Sequence, residues 1–240
     1  VTGFVDLHCH YVPGIDDGVK TREDGVALLR ALCSAGFEKV IATPHIRTAM
    51  FENRRAGLEA AFAAFVADVS EEPGLPALGL GAEHFFDDVV WELFQKNEMR
   101  PYPGDRAVLV EFPERSFPMG LDQRFFQMQV KNLRPVLAHP ERYAPVQKDP
   151  GELEHLVDRG VLALLDVMSL VGKYGAAPQR AAEVLLERGL YYAACSDTHR
   201  PGDVDFVVQA IERLRSLRGD GETQSLLGEH PRRILLGTAG

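Results

Sequence analysis

The stretch Phe4-Val5-Asp6-Leu7-His8-Cys9-His10 decides the reading of this chain. A short apolar run with β-branched and aromatic residues reads as a buried strand. It ends on two histidines spaced by two. On a strand that spacing turns both imidazoles to one side and Cys9 to the other. Cys9 is therefore expected to pack in the core, while His8 and His10 are free to share one cation.

Working outward, six further runs share the same character: Lys39–Ala42, Ala77–Gly81, Ala107–Val110, Pro135–Ala138, Val161–Leu165 and Tyr191–Cys195. Between them lie segments with helical periodicity. In the first, Thr21 and Asp24 form a capping pair, Val26, Leu29 and Cys33 share a face with Leu28 and Leu32 alongside, and Gly36 stands where the helix should end. Other helices are expected at about 52–69, 121–132, 150–159, 178–188 and 203–217. Glu71–Pro76 and Arg218–Gly221 read as loops, both too short to link domains. Strands alternating with helices imply a mostly parallel sheet, and near-continuous apolar strands imply burial on both faces. The expected fold is an α/β closed or distorted barrel, a single domain over residues 1–240.

What ends each run points to chemistry. The second leads through Thr43-Pro44 into His45, the third into Glu83, the fourth into Glu111, the fifth into His139 and the last through Ser196 into Asp197-Thr198-His199. In parallel barrels the strand ends share one rim, and active sites collect there. With Asp17 the set is His8, His10, Asp17, His45, Glu83, Glu111, His139, Asp197 and His199: five imidazoles and four carboxylates. Such a mixture suits divalent manganese, zinc or iron rather than a thiolate zinc site. Nine donors exceed the needs of one tetrahedral ion and fit two or three ions sharing a carboxylate. Burying four carboxylates without cations would be very costly. His84, His155 and His230 lack this context and read as surface or packing residues. Asp6 and Asp166 lie within strands and either orient a ligand histidine or make ordinary buried hydrogen bonds. Asp16 reads as a turn residue before Gly18.

Composition bounds the rest. Of 240 residues 45% are hydrophobic and 25% charged, ordinary for a folded globular protein. The net charge of −9 argues against nucleic-acid or membrane-surface binding. No apolar run approaches the ~20 residues of a membrane span. The first residues show no signal-peptide pattern. Three cysteines without a CxxC suggest a reducing, cytoplasmic setting. None has an arginine six positions on, because Cys9 is matched by Ile15, Cys33 by Lys39 and Cys195 by Pro201. A cysteinyl-phosphate mechanism is thereby excluded, and Walker-type and GxSxG motifs are absent.

The strings Asp6–His10, Pro13-Gly14-Ile15-Asp16-Asp17-Gly18, Ala42-Thr43-Pro44-His45, Gly81-Ala82-Glu83, Val110-Glu111-Phe112, Ala138-His139-Pro140-Glu141-Arg142-Tyr143 and Ser196–His199 together resemble the polymerase and histidinol phosphatase (PHP) superfamily. More narrowly, they resemble the bacterial metal-dependent protein tyrosine phosphatases of capsule and exopolysaccharide operons. The resemblance runs from Asp6 to Ile234. It implies a distorted (β/α)7 barrel with three metal positions at the C-terminal rim of the strands. His8, His10, Glu83 and Asp197 would hold the first ion. Glu83 would bridge to a second, completed by Glu111 and His139. Asp17, His45 and His199 would hold the third. Ile46 departs from relatives that carry a second histidine there.

On this reading the enzyme is a phosphoesterase acting on phosphotyrosine by direct attack of metal-bound hydroxide. Three divalent ions against four carboxylates leave a formal charge of about +2, an anion trap on an acidic protein. Arg142 is the expected bidentate phosphate clamp, with Arg47 and Arg200 next. The implied partner is the phosphorylated tail of a tyrosine autokinase that controls polysaccharide export; self-association stays open. The competing readings are a PHP phosphatase of a small metabolite such as histidinol phosphate, an amidohydrolase, and a non-catalytic phosphotyrosine-binding module. The amidohydrolase reading is weak, because the fourth strand ends in Glu111 rather than lysine.

Overall fold

The computed structural model describes residues 3–239, so Val1 and Thr2 of the signal-peptide reading lie outside the described residues, as does Gly240. All strand pairing is parallel, in two sheets. One contains β1 (Phe4–Cys9), β2 (Phe37–Ala42) and β4 (Ala77–Leu80). The other runs β3 (His45–Ile46), β5 (Glu83–Phe85), β6 (Ala107–Glu111), β7 (Arg134–Ala138), β8 (Leu162–Asp166) and β9 (Tyr191–Cys195). The seven expected runs are all present. Two of them, β2 and β4, are each followed after a break by a further short strand, β3 and β5, that was not expected. Pro44 has no N–H to continue a ladder, and the chain pairs again one step later, through Glu83 N to Pro44 O at 3.1 Å. The far edges approach across a seam. There Asp197 N donates to His8 O and His10 N to Thr198 O, both at 2.9 Å, with a parallel bridge between Cys9 and Thr198. The result is a distorted (β/α)7 barrel whose ring is tied at the rim rather than laddered along its full height.

The helices follow local signals. The first, α1 (Arg22–Ser34), starts where Thr21 Oγ1 accepts Asp24 N at 3.1 Å and buries Val26, Leu28, Leu29 and Leu32. It ends before Gly36, whose φ of 101° is left-handed. The helices α2 (Arg55–Asp68), α4 (Leu121–Val130), α6 (Gly151–Val157) and α7 (Ala176–Glu187) lie within or close to the expected ranges. Not anticipated were α3 (Asp88–Gln95), α5 (Ala144–Lys148) and α9 (His230–Leu236). The expected loop at Arg218–Gly221 is instead part of α8 (Val204–Gln224), which kinks at Gly219, the one residue there with non-helical angles. Among the described residues no helix is long and apolar enough to cross a membrane.

Apolar side chains fill two layers. An outer one packs helices on strands. An inner one takes Val5, Leu7, Ile41, Leu109, Val136, Leu164 and Ala193 from the strands and is closed by Ile234 and Leu235 of α9. Just past the end of β4, at Gly81, the inward space is taken by a residue from elsewhere. A Cβ on Gly81 would lie 3.2 Å from the Tyr102 ring, and Tyr102, 1% exposed, donates its hydroxyl to Leu7 O at 3.0 Å. Tyr102→Ala should therefore open a cavity inside the barrel and cost about 3–5 kcal/mol in urea unfolding. A loss under about 1 kcal/mol would show that Tyr102 does not hold the interior.

Candidate metal centre

The strand ends bring the nine expected donors together. Among the described residues, the side chains close enough to share a cation fall into four overlapping groups: His10, Asp17, His45 and His199; His8, His10 and Asp197; His8, Glu83 and His139; His45, Glu83 and Glu111. Every expected ligand occurs in at least one group and no other residue does. The expected second set of Glu83, Glu111 and His139 does not form a single group. Glu83 stands at the centre, its Oε1 3.1 Å from His139 Nε2 and its Oε2 3.1 Å from His8 Nε2 and 2.9 Å from His45 Nδ1. Through its other nitrogen, His45 Nε2 lies 3.3 Å from Asp17 Oδ1, which is 3.5 Å from His199 Nε2.

These spacings test whether cations fit. Donor atoms about 2.1 Å from one ion lie about 3.0–3.4 Å apart. His8 Nε2 is 3.2 Å from both His10 Nε2 and Asp197 Oδ1. Both separations fall within the range that ligands of one ion show. His45 Nδ1, Asp197 Oδ1 and Glu111 Oε2 are buried without a hydrogen-bond partner, although acceptors and donors stand within reach. The donor set fits divalent cations, and the orphaned atoms mark where they would bind.

Local structure aims these groups. Asp16 Oδ2 lies 2.7 Å from His10 Nδ1, which leaves Nε2 for the site, and its Oδ1 accepts Gly18 N at 2.9 Å. Reading Asp16 as a turn residue thus described only half its role; the other half is the carboxylate–histidine pairing that supports metal ligands. A Cβ on Gly18 would lie 2.3 Å from His10 O, so only glycine admits this turn. His139 and Asp197 have φ of 35° and 47°, left-handed values that non-glycine residues adopt where strain is tolerated for function. Asp6 accepts the His8 and Ser196 backbone N–H groups at 3.2 and 3.0 Å, so it holds the strand rather than a ligand ring. Asp166 likewise orients no histidine; it pairs with Arg142.

The arginines are placed differently from one another. Arg142 Nη2 donates to Asp166 and, at 2.6 Å, to Asp197 Oδ2, and its guanidinium lies over the Tyr174 ring. Nη2 is thus already committed, and Nε is buried without a partner. Arg47 covers the Phe85 ring at 4.2 Å, and Arg200 is exposed, its backbone N–H bound to Asp203. Outside the site, His84 is buried between Leu109 O and Arg100 N, His155 pairs with Asp122, and His230 Nδ1 meets Tyr192 O. Sequence reading missed Asp16, Glu141 and Tyr174. The first two stand in the quoted strings; Tyr174 carries no local signal.

Without cations the carboxylates draw protons. Burial lowers the His8 imidazole, but Asp197 and Glu83 outweigh it and raise its pKa to about 9. Burial and the neighbouring Glu83 raise Glu111 to about 8. Burial lowers His139 to about 4, with Arg142 adding to the effect, so its ring is neutral and ready to ligate. At pH 7 a cation must displace protons from His8 and Glu111. Manganese added to the metal-free protein in unbuffered solution at pH 7 should release more than one proton per protein. Its affinity should fall as pH is lowered. Loading without proton release would show that the cations bind elsewhere.

Comparison with known proteins agrees with this geometry. A family model described as capsular polysaccharide synthesis, CpsB/CapC, matches residues 4–236. Tyrosine-protein phosphatase YwqE of Bacillus subtilis is 30% identical over 96% of this chain and 91% of its own length. Tyrosine-protein phosphatase CpsB of Streptococcus pneumoniae is 25% identical over 97% and 98%. A solved structure from the pair YwqE and CpsB, described as metal-dependent tyrosine phosphatases, superposes with a TM-score of 0.89 at 28% identity, covering 97% of this chain and 94% of that one. The phosphotriesterase homology protein of Escherichia coli shares the fold at a TM-score of 0.58 and 15% identity.

Proposed function

The chain belongs to the CpsB/CapC family of capsular polysaccharide synthesis, and on that premise we propose that it is a metal-dependent tyrosine-protein phosphatase, hydrolysing the phosphate ester of tyrosine in a protein. The convergence of His8, His10, Asp17, His45, Glu83, Glu111, His139, Asp197 and His199 from dispersed strand ends carries the reading. Two or three divalent ions would be held there, manganese before iron or zinc given the mixed imidazole and carboxylate donors. His8, His10 and Asp197 form one fully buried seat and His8, Glu83 and His139 another, with Glu83 also shared with the His45 and Glu111 group. When bound, the cations supply positive charge for the phosphoryl oxygens and water acidic enough to act as a nucleophile near neutral pH.

The chain's own residues do the rest. Asp16 and the backbone of β1 keep the His10 and His8 rings in place. Arg142, steadied by Asp166 and Asp197 through Nη2, offers its Nη1 N–H groups to a phosphoryl oxygen. Arg47 and Arg200 are further candidates for contacts with the substrate. Neither Cys9 nor Cys195 competes as nucleophile, because both are buried and burial pushes their thiols well above the ordinary range. A phenolate leaving group, whose conjugate acid has a pKa of about 10, needs less help from a general acid than an alkyl alcohol does. That difference favours phosphotyrosine over a small alkyl phosphate such as histidinol phosphate. The proposal extends to a tyrosine autokinase tail as the phosphoprotein, to a cytoplasmic location consistent with three free cysteines, and to one domain over 1–240.

Manganese-loaded protein should hydrolyse a phosphotyrosine peptide, lose the activity to a chelator and regain it when manganese is restored. His139→Ala should lower the rate about 100-fold or more, whereas His155→Ala should leave it within about two-fold, as expected for a surface residue. Equal losses would break the site assignment. Faster turnover of histidinol phosphate than of the peptide would overturn the substrate.

A further inference from the structure

Asp166 is a fully buried carboxylate that belongs to none of the groups able to hold a cation. A buried charge is tolerated only when paired, and its partner is Arg142. The contacts around it form a rigid frame. Asp166 Oδ1 accepts Met168 N at 2.8 Å, and its backbone N donates to Glu141 Oε1 at 3.2 Å. Glu141, also fully buried, accepts Ser169 Oγ at 2.9 Å and the Tyr191 hydroxyl at 3.0 Å. Tyr174 hydrogen-bonds to Asp166, while its ring lies 3.8 Å from the Arg142 guanidinium carbon. Left-handed glycines, Gly172 and Gly175, bracket this tyrosine, and the intervening Lys173 pairs with Asp203.

The frame decides which edge of Arg142 is free. A guanidinium has five N–H groups in a fixed plane. Nη2 is bound to Asp166 and to Asp197, an expected cation ligand, and Nε has no partner among the described residues. Rotating the plane would release Asp197. We propose that Asp166, locked by Glu141 and Tyr174, is a positioning residue that holds Arg142 so that Nη2 braces Asp197 while Nη1, bound to neither carboxylate and not buried, stays available to a phosphoryl oxygen. Its role would be exerted entirely through Arg142. The inference rests on the reading of Arg142 as a phosphate-binding group.

A double-mutant cycle tests it. The four proteins are the wild type, Asp166→Asn, Arg142→Ala and the double variant, each full-length, with manganese saturating and its content measured. Asp166→Asn should lower kcat/KM for a phosphotyrosine peptide at least ten-fold in the wild-type background and less than two-fold in the Arg142→Ala background. The affinity for inorganic phosphate, read by calorimetry, should show the same dependence on background. Tyr174→Phe, which keeps the ring and the fold, should give a smaller loss that also vanishes without Arg142. Equal losses in both backgrounds, or loss of manganese from Asp166→Asn, would overturn the proposal. A wild type with no turnover would sink the phosphatase reading, and the phosphate-binding cycle would still decide the role of Asp166.

Discussion

Mutual repulsion among carboxylates that cannot escape to water is the constraint on which this structure turns. Glu83 and Asp197 are almost fully buried, and Glu111 is close behind. Five imidazoles surround them, with nitrogen and oxygen atoms 2.9–3.8 Å apart. Neutral imidazoles do not balance such charge. Protons or cations must, and His8 and Glu111 both hold protons tightly when cations are absent. A site with this unmet demand is matched in charge and donor type to divalent ions.

The barrel supplies the convergence. Parallel strands deliver their last residues to one rim, and small irregularities adjust the aim. The break after Ala42 places His45 and the break after Leu80 places Glu83, side by side as paired residues of β3 and β5. Left-handed backbone at His139 and Asp197 turns those side chains where an extended strand would not. Tyr102, inserted among the inner layer, fills the space beside Gly81 just past β4 and keeps the interior closed beneath the rim. Stability and placement of the donors are therefore coupled through the same strands.

Arg142 joins the cation cage to the rest of the rim. It shares Nη2 between Asp197, which stands among the grouped donors, and Asp166, which does not. One guanidinium thereby sets the orientation of Asp197 and is itself set by Asp166, Glu141 and Tyr174. Such supporting contacts commonly matter nearly as much as the ligands. They also link the ends of β7, β8 and β9, so the loop at Gly172–Gly175 contributes to the site without carrying a ligand.

Eight of the nine donors were legible from the chain because they stand at the ends of apolar runs, and strand periodicity is a local property; Asp17 stands in the loop after β1. The order of strands and helices was legible for the same reason. Local reading failed where composition misleads. Asp88–Gln95 is rich in β-branched and aromatic residues yet forms a helix capped by Asp87, and the glycine signal near 219 marks a kink in α8 rather than a loop. Tertiary structure alone decided how Glu83 divides its two oxygens, that Asp16 orients His10, and that Asp166 serves Arg142 rather than a histidine. Those contacts depend on side-chain direction and on residues as far apart as Asp6 and Ser196, 190 positions along the chain. Periodicity records which face of an element is buried; which atoms then meet across the rim follows only from the closed arrangement of the strands.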